Sequence, residues 1–309
     1  MNKIAANLNE IIKNKIPPSK GGVLALGNFD GVHGGHQAVV AAARRYGLAA
    51  RVLTFEPHPR RVFQPQHPPF RLTPAPVKER LLRALGVDDV IVMDFSQDLA
   101  HLSARAFVDE VLLGRYGAQH VVAGHDFVFG HKRGGTMPLL REWLAPHGVE
   151  VTEVAPLRDA EGEILSSSRV RDALRRGDLA TAQRILGRPW AIAGIVRHGA
   201  QRGATIGFPT ANMDLGDYLR PPFGVYAVRA RRVGAAESYA GVANLGIRPT
   251  VDGVRETLET HLFDFDQDIY DQEWEIELRH FLRPEQTFPN LESLRAQIAK
   301  DVTQAKALP

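Results

Sequence analysis

The stretch "GNFDGVHGGH", residues 27–36, holds four glycines and two histidines, His33 and His36, three positions apart. Three readings fit those residue types. Two imidazoles at that spacing could ligate a metal. Glycines ahead of a helix could cradle a phosphate on free backbone N–H groups at the positive end of the helix dipole. A turn with two solvated histidines is the third. No GK[ST] follows, so the stretch is not a P-loop. With His33 on the turn and His36 in the first helical turn, both rings could donate to a phosphate whose charge grows in a transition state.

Two further stretches carry chemistry. "FPTAN", 208–212, offers a hydroxyl and an amide, Thr210 and Asn212, two residues apart. In an extended chain both point to one side. Such oxygen ligands suit Mg²⁺, which keeps waters and substrate phosphates in its shell; a plain turn is the alternative. Gly199, Gly203 and Gly207 just upstream give a loop the freedom to close over a ligand. In "SSSRVRDALRRGD", from Ser166, a serine cap opens a helix with Arg169 and Arg171 in its first turn. Cations there oppose the helix dipole, so an anionic partner would relieve a cost. The alternative is a capped, solvated helix.

The elements that must hold these residues fall into two textures. Over residues 21–155, "GVLALG", "ARVLTF", "DVIVMDF", "QHVVAG" and "VEVTEV" read as short strands separated by helical patterns. The clearest helix is "SARAFVDEVLLGRYG", with Ser103 as cap and Phe107, Val108, Val111 and Leu112 on one face. This alternation predicts a parallel sheet covered on both sides, with ligands beyond the carboxyl ends of its strands. After residue 187, "AIAGIVRHG", "GVYAVRARRVG", "SYAGVANLG" and "EWEIELRHFL" read as strands with little helix between, which predicts an antiparallel barrel or sandwich. "NLESLRAQIAKDV", capped by Asn290, closes the chain as a helix. The boundary falls at "LGRPW", giving domains 1–186 and 187–309.

The 309 residues suffice for two domains, and a 44% hydrophobic share supports a packed core. A net charge of +3, with no stripe of Lys/Arg and interleaved aromatics, argues against a nucleic-acid partner. There are no cysteines, which removes disulfides, thiolate metal sites and cysteine nucleophiles. The N-terminus lacks a signal-peptide core, and the longest strictly apolar run, "AVVAAA", is far short of the ~20 residues of a membrane span. A cytoplasmic protein without a membrane partner is expected.

Four motifs in order carry a resemblance. "GNFDGVHGGH" is similar to the HxGH signature of nucleotidyltransferases, in the form seen in prokaryotic bifunctional riboflavin kinase/FAD synthetases. "FEPHPRRVF" (55–63) resembles that family's flavin-side segment, "GHDFVFG" (124–130) its next signature, and "LSSSRVR" (165–171) its ISSTxIR motif. In the second half, "GFPTAN" resembles the PTAN motif of riboflavin kinases, and "GVYAVRA", "GVANLGIRPT" and "ETHLFDFDQDIY" resemble the segments that follow it. The resemblance implies a Rossmann-like nucleotidyltransferase domain followed by an antiparallel β-barrel kinase domain with a closing helix. It implies that riboflavin becomes FMN at the expense of ATP, with Mg²⁺, in the C-terminal domain. FMN and ATP then give FAD and pyrophosphate in the N-terminal one. By the same resemblance, His33 and His36 contact ATP phosphates. Gly27, Phe29, Gly35, Asp126, Ser167, Ser168 and Arg171 help hold the nucleotide there, as do Gly207, Thr210 and Asn212 in the kinase. Pro57, Pro59, Phe63 and Phe129 serve the flavin side; as aromatics, Phe63, Phe127 and Phe129 could equally fill a core. Glu259 matches the kinase's general base; without the resemblance it reads as one more exposed strand carboxylate. Two departures stand out. Ile164 occupies a place before the serine motif where relatives often have a basic residue, and Asp271 one where they commonly have Gly.

Overall fold

The computed structural model describes residues 21–198, 208–250 and 253–308. The chain forms two compact units, residues 1–68 with 73–167, and residues 69–72 with 168–309.

In the first unit all five expected strands form: β1 Val23–Leu26, β2 Ala50–Glu56, β3 Asp89–Asp94, β4 His120–Gly124 and β5 Glu150–Val154. They make one parallel sheet in the order β3-β2-β1-β4-β5. Because side chains alternate along a strand, each strand feeds two cores. Val23, Ala25, Val52 and Val122 pack with Val39, Val40 and Leu82 of helices α1 (Gly34–Ala43) and α2 (Ala75–Ala84). Leu24, Leu26, Leu53 and Val121 pack on the other face with Phe107, Val111 and Leu140. The helix from Ser103 is capped as its sequence predicts, the hydroxyl accepting from Ala106 N at 3.1 Å, but it widens into π-helical turns over Phe107–Arg115. Chain order reverses on either side of β1, so the loops after β1 and β4 open side by side at the carboxyl edge, where such sheets bind ligands.

In the second unit six antiparallel strands run in the order β6-β11-β8-β9-β10-β7. These are β6 Ala191–Ile195, β7 Ala211–Asp214, β8 Gly224–Arg232, β9 Tyr239–Thr250, β10 Gly253–Leu262 and β11 Glu273–Pro284. Arg197 pairs with Asn212, its N–H donating to the Asn212 carbonyl at 2.8 Å, and this joins the two edge strands into a barrel. Tyr226, Leu245, Leu258, Met213, Ile276 and Ile192 are buried. On the other face, Val225, Ala227, Val242 and Phe263 pack with Ala305 of the closing helix, α3 (Leu291–Lys306). Its cap is the expected one: Asn290 Oδ1 accepts from Ser293 N at 2.9 Å.

Candidate active sites

The loop after β1 is strained and strapped down. Phe29 and Val32 adopt φ of 53° and 45°, a left-handed conformation that a β-branched residue rarely tolerates. Such strain persists only where the surroundings over-determine it. Both side chains are buried in the core. Asp30, also buried, accepts from Thr73 N at 3.0 Å; Gly31 N donates to Thr73 Oγ1 at 2.9 Å; and Ser167 Oγ donates to the Asp30 carbonyl at 2.8 Å. The loop ends on His33, the cap residue of α1. His36 lies one turn on, and the two imidazoles stack with centroids 3.7 Å apart and planes 24° apart. The Phe29 ring meets His36 edge-on at 5.2 Å. A side chain would be crowded at two of the glycines. A Cβ on Gly35 would lie 3.0 Å from His33 Cε1, and one on Gly27 would lie 3.1 Å from Cε2 of Phe29. Phe29 thus packs against the histidine pair from the core.

Other expected residues divide by exposure. Asp126 stands exposed in the turn after β4. Pro59 opens a one-turn helix, Pro59–Phe63, and Phe63 at its end is 62% exposed. Phe129, in contrast, packs in the core between Phe107 and Phe127. A helix, Ser167–Arg175, precedes the barrel. Ser168 and Arg171 on it belong to the second unit. Arg171 is buried there, its Nε donating to the Phe70 carbonyl at 3.0 Å and its guanidinium carbon 5.6 Å from the Phe70 ring centroid. Ile164 pairs across a hairpin with Arg158, whose guanidinium donates to the Gly162 carbonyl at 2.7 Å.

In the second unit, Glu259 lies on β10 directly opposite Asn212 of β7 on one side and Asn244 of β9 on the other. Cross-strand partners share a face, so the three form one polar row. Glu259 is only 8% exposed, where the residue pattern alone suggests a solvated carboxylate. Thr257 Oγ1 lies 3.5 Å from Glu259 Oε1. Asn212 Nδ2 donates to the Thr210 carbonyl at 3.3 Å, and Asn244 Nδ2 to Glu285 Oε1 at 3.2 Å. Thr210 itself precedes the strand. Gly207 and the rest of 199–207 lie outside the described residues.

Sequence reasoning passed over Asp30, Thr73, Asn244 and Glu285. The signal for Asp30 was present: an Asp between Phe and Gly in a turn is a natural acceptor for backbone N–H groups. Asn244 and Glu285 become legible only once the strand register is known. Among the described residues, no group of three or more His, Asp or Glu is placed to hold a metal, and no helix is long and apolar enough to cross a membrane.

Comparison with known proteins agrees with both halves. A family model described as FAD synthetase matches residues 15–169, and one described as riboflavin kinase matches 186–308. The bifunctional riboflavin kinase/FMN adenylyltransferase of Escherichia coli K12 is 40% identical over 293 residues, 94% of this chain and 93% of that protein. The protein of the same description from Pseudomonas fluorescens is 41% identical over 302 residues, 96% of each chain. A solved structure from Streptococcus pneumoniae, described as a macrolide-efflux protein, superposes with a TM-score of 0.83 at 32% identity, over 96% of this chain and 97% of that one. The chain thus belongs to the bifunctional riboflavin kinase/FMN adenylyltransferase family, an enzyme that phosphorylates riboflavin to FMN in its C-terminal domain and adenylylates FMN to FAD in its N-terminal one.

Proposed function

We propose that each reaction runs at its own site, with the roles divided by the charge of the nucleophile. At the end of the parallel sheet an FMN phosphate oxygen attacks the α-phosphorus of ATP. The bond to the β-phosphate breaks and pyrophosphate leaves. The nucleophile is already an anion, so no protein base is needed. His33 and His36 donate to the phosphates as charge shifts onto the leaving group. Gly27, Phe29 and Gly35 shape that cradle, and Asp126 and Ser167 border the nucleotide. Pro57, Pro59 and Phe63 form the flavin side.

On the barrel the nucleophile is the ribityl 5′-hydroxyl, which must lose its proton. Glu259 accepts it as the γ-phosphoryl group moves from ATP to the oxygen and ADP leaves. Thr210 and Asn212 would hold Mg²⁺. Their donors are oxygens, and too few for an all-protein cage, which suits an ion that shares its shell with water and phosphates. When bound, the ion supplies charge neutralisation on the transferring phosphates. The division of activities is proposed at residues 186/187. A cytoplasmic setting is proposed as well, where ATP is available to both steps.

The observation that carries the kinase reading is Glu259 nearly buried and in register with Asn212. Incubating the protein with riboflavin, ATP and Mg²⁺ and separating the products tests the whole reading. Both FMN and FAD are expected, and neither with excess chelator. Accumulation that stops at FMN sinks the adenylyl half.

A further inference from the structure

Lys78 lies on α2 in "APVKERLLRA", where Lys, Glu and Arg read as a solvated helix face. The structure buries it: it is 1% exposed. Its Nζ lies 2.6 Å from Glu56 Oε1, 3.0 Å from Thr54 Oγ1, 3.1 Å from the Phe55 carbonyl and 3.3 Å from the Asn28 carbonyl. Taking an ammonium out of water is costly unless it is paired and hydrogen-bonded. This one is fully surrounded by acceptors.

The acceptors come from two places. Asn28 is in the histidine loop. Thr54, Phe55 and Glu56 are the last residues of β2 and lead directly into Pro57. Thr54 Oγ1 also donates to the Asn28 carbonyl at 3.0 Å. A single buried cation therefore joins the end of β1 to the end of β2, beneath the segments assigned to ATP and to the flavin. Thr73, five residues earlier, straps the same loop at Asp30 and Gly31. Two non-glycine residues of that loop are held at positive φ, and a strained loop keeps its shape only while such restraints hold. Glu56 adds an electrostatic side: its carboxylate stands next to the segment that must receive an anionic flavin phosphate, and Lys78 balances it.

We propose that Lys78 is a positioning residue for adenylyl transfer, with two separable effects. It sets the histidine loop against the 56–59 segment, and it neutralises Glu56 so that FMN is not repelled. The proposal rests on the assignment of residues 27–36 to ATP and 57–63 to the flavin.

Lys78→Met is expected to lower kcat for FMN adenylylation about 100-fold, the scale of a misplaced reacting group, and to raise KM for FMN. Riboflavin kinase activity of the same chain should be unchanged. Adding Glu56→Gln should bring KM for FMN back by about ten-fold, a typical coupling between touching residues, while kcat stays low. Thr54→Val, which leaves the charge pair intact, should lower kcat with KM for FMN unchanged. A purely structural lysine would give no such split. The proposal is overturned if folded Lys78→Met keeps its kcat, or if the double variant keeps the high KM. Should Lys78→Met not fold, an unaltered kcat in Thr54→Val overturns it. His36→Ala separates the failures. If that variant still makes FAD, the site assignment is wrong; if it does not while Lys78→Met does, only the role of Lys78 is wrong.

Discussion

The two sites of this chain are built from opposite materials. The proposed adenylyl site is a set of loop ends at the edge of a parallel sheet, with a strapped loop, a helix start and stacked imidazoles. The proposed kinase site is a row of side chains on the wall of an antiparallel barrel, set by strand register. The reactions differ in the same way. One joins two anions and needs charge relief. The other deprotonates an alcohol and needs a carboxylate. Loop ends suit the first, because orphan N–H groups collect where strands stop and helices start. A strand wall suits the second, because a base must be rigidly placed and partly desolvated.

The largest expected effect breaks the barrel side. Glu259→Gln keeps the shape of the row and removes the base. FMN formation should fall about 10²- to 10⁴-fold, while FAD formation from supplied FMN is unchanged. His36→Ala is the mirror experiment. FAD formation should fall about 10²- to 10³-fold, the scale of losing one donor to a developing charge, with FMN formation intact. If either substitution removes both activities, the two sites are not independent and the contrast collapses.

A subtler variant sharpens the sheet side. Gly35→Ala adds a methyl 3.0 Å from His33 Cε1, inside normal contact distance. The backbone there can accept alanine, so the methyl acts by pushing the ring and disturbing the stack. About a ten-fold fall in FAD formation is expected, less than loss of the ring. Steady-state rates with saturating FMN measure it. An unaltered rate would mean that the stacked arrangement of the histidines does not matter to the reaction.

The contrast also decides what the residues alone could reveal. All five parallel strands were legible because each is a compact apolar or β-branched run between Gly, Pro or polar punctuation. The loop chemistry was legible too, since glycines and histidines announce themselves. The barrel was half legible. Tryptophan, isoleucine and leucine alternate with glutamates along β11, a period of two, but β10 reads "GVRETLETHL", with Val254, Leu258 and Leu262 four apart. That spacing belongs to a helix face. Pairing with β9 along its whole length overrides it. β7 has four residues and one large apolar side chain, too little for any pattern. Both hidden strands carry residues proposed for the kinase: Glu259 entered by resemblance rather than by periodicity, and Asn212 by its spacing from Thr210. Lys78 escaped for a related reason: a charge on a polar helix stripe is normally solvated, and only tertiary packing closes over this one.

Asp271 gives the smallest and last test. It adopts a φ of 57°, the left-handed region in which glycine is unstrained. The aspartate costs about 1 kcal/mol in strain. It gains an ion pair, Arg197 Nη1 to Asp271 Oδ1 at 2.5 Å, between two largely exposed side chains, worth at most about 1 kcal/mol. The two terms nearly cancel. Asp271→Gly should therefore shift Tm by no more than a few degrees. Its backbone bond to the Val196 carbonyl, at 2.9 Å, survives the change. The kinase rate is the sharper readout. Arg197 also donates its own N–H to the Asn212 carbonyl, so the ion pair is one step from the row proposed for the kinase. An unchanged rate means that strand pairing alone holds Asn212 in place. A loss of more than about three-fold, well beyond what so weak a pair contributes to stability, would mean that a surface turn helps aim it. The barrel site would then depend on its loops much as the sheet-end site does.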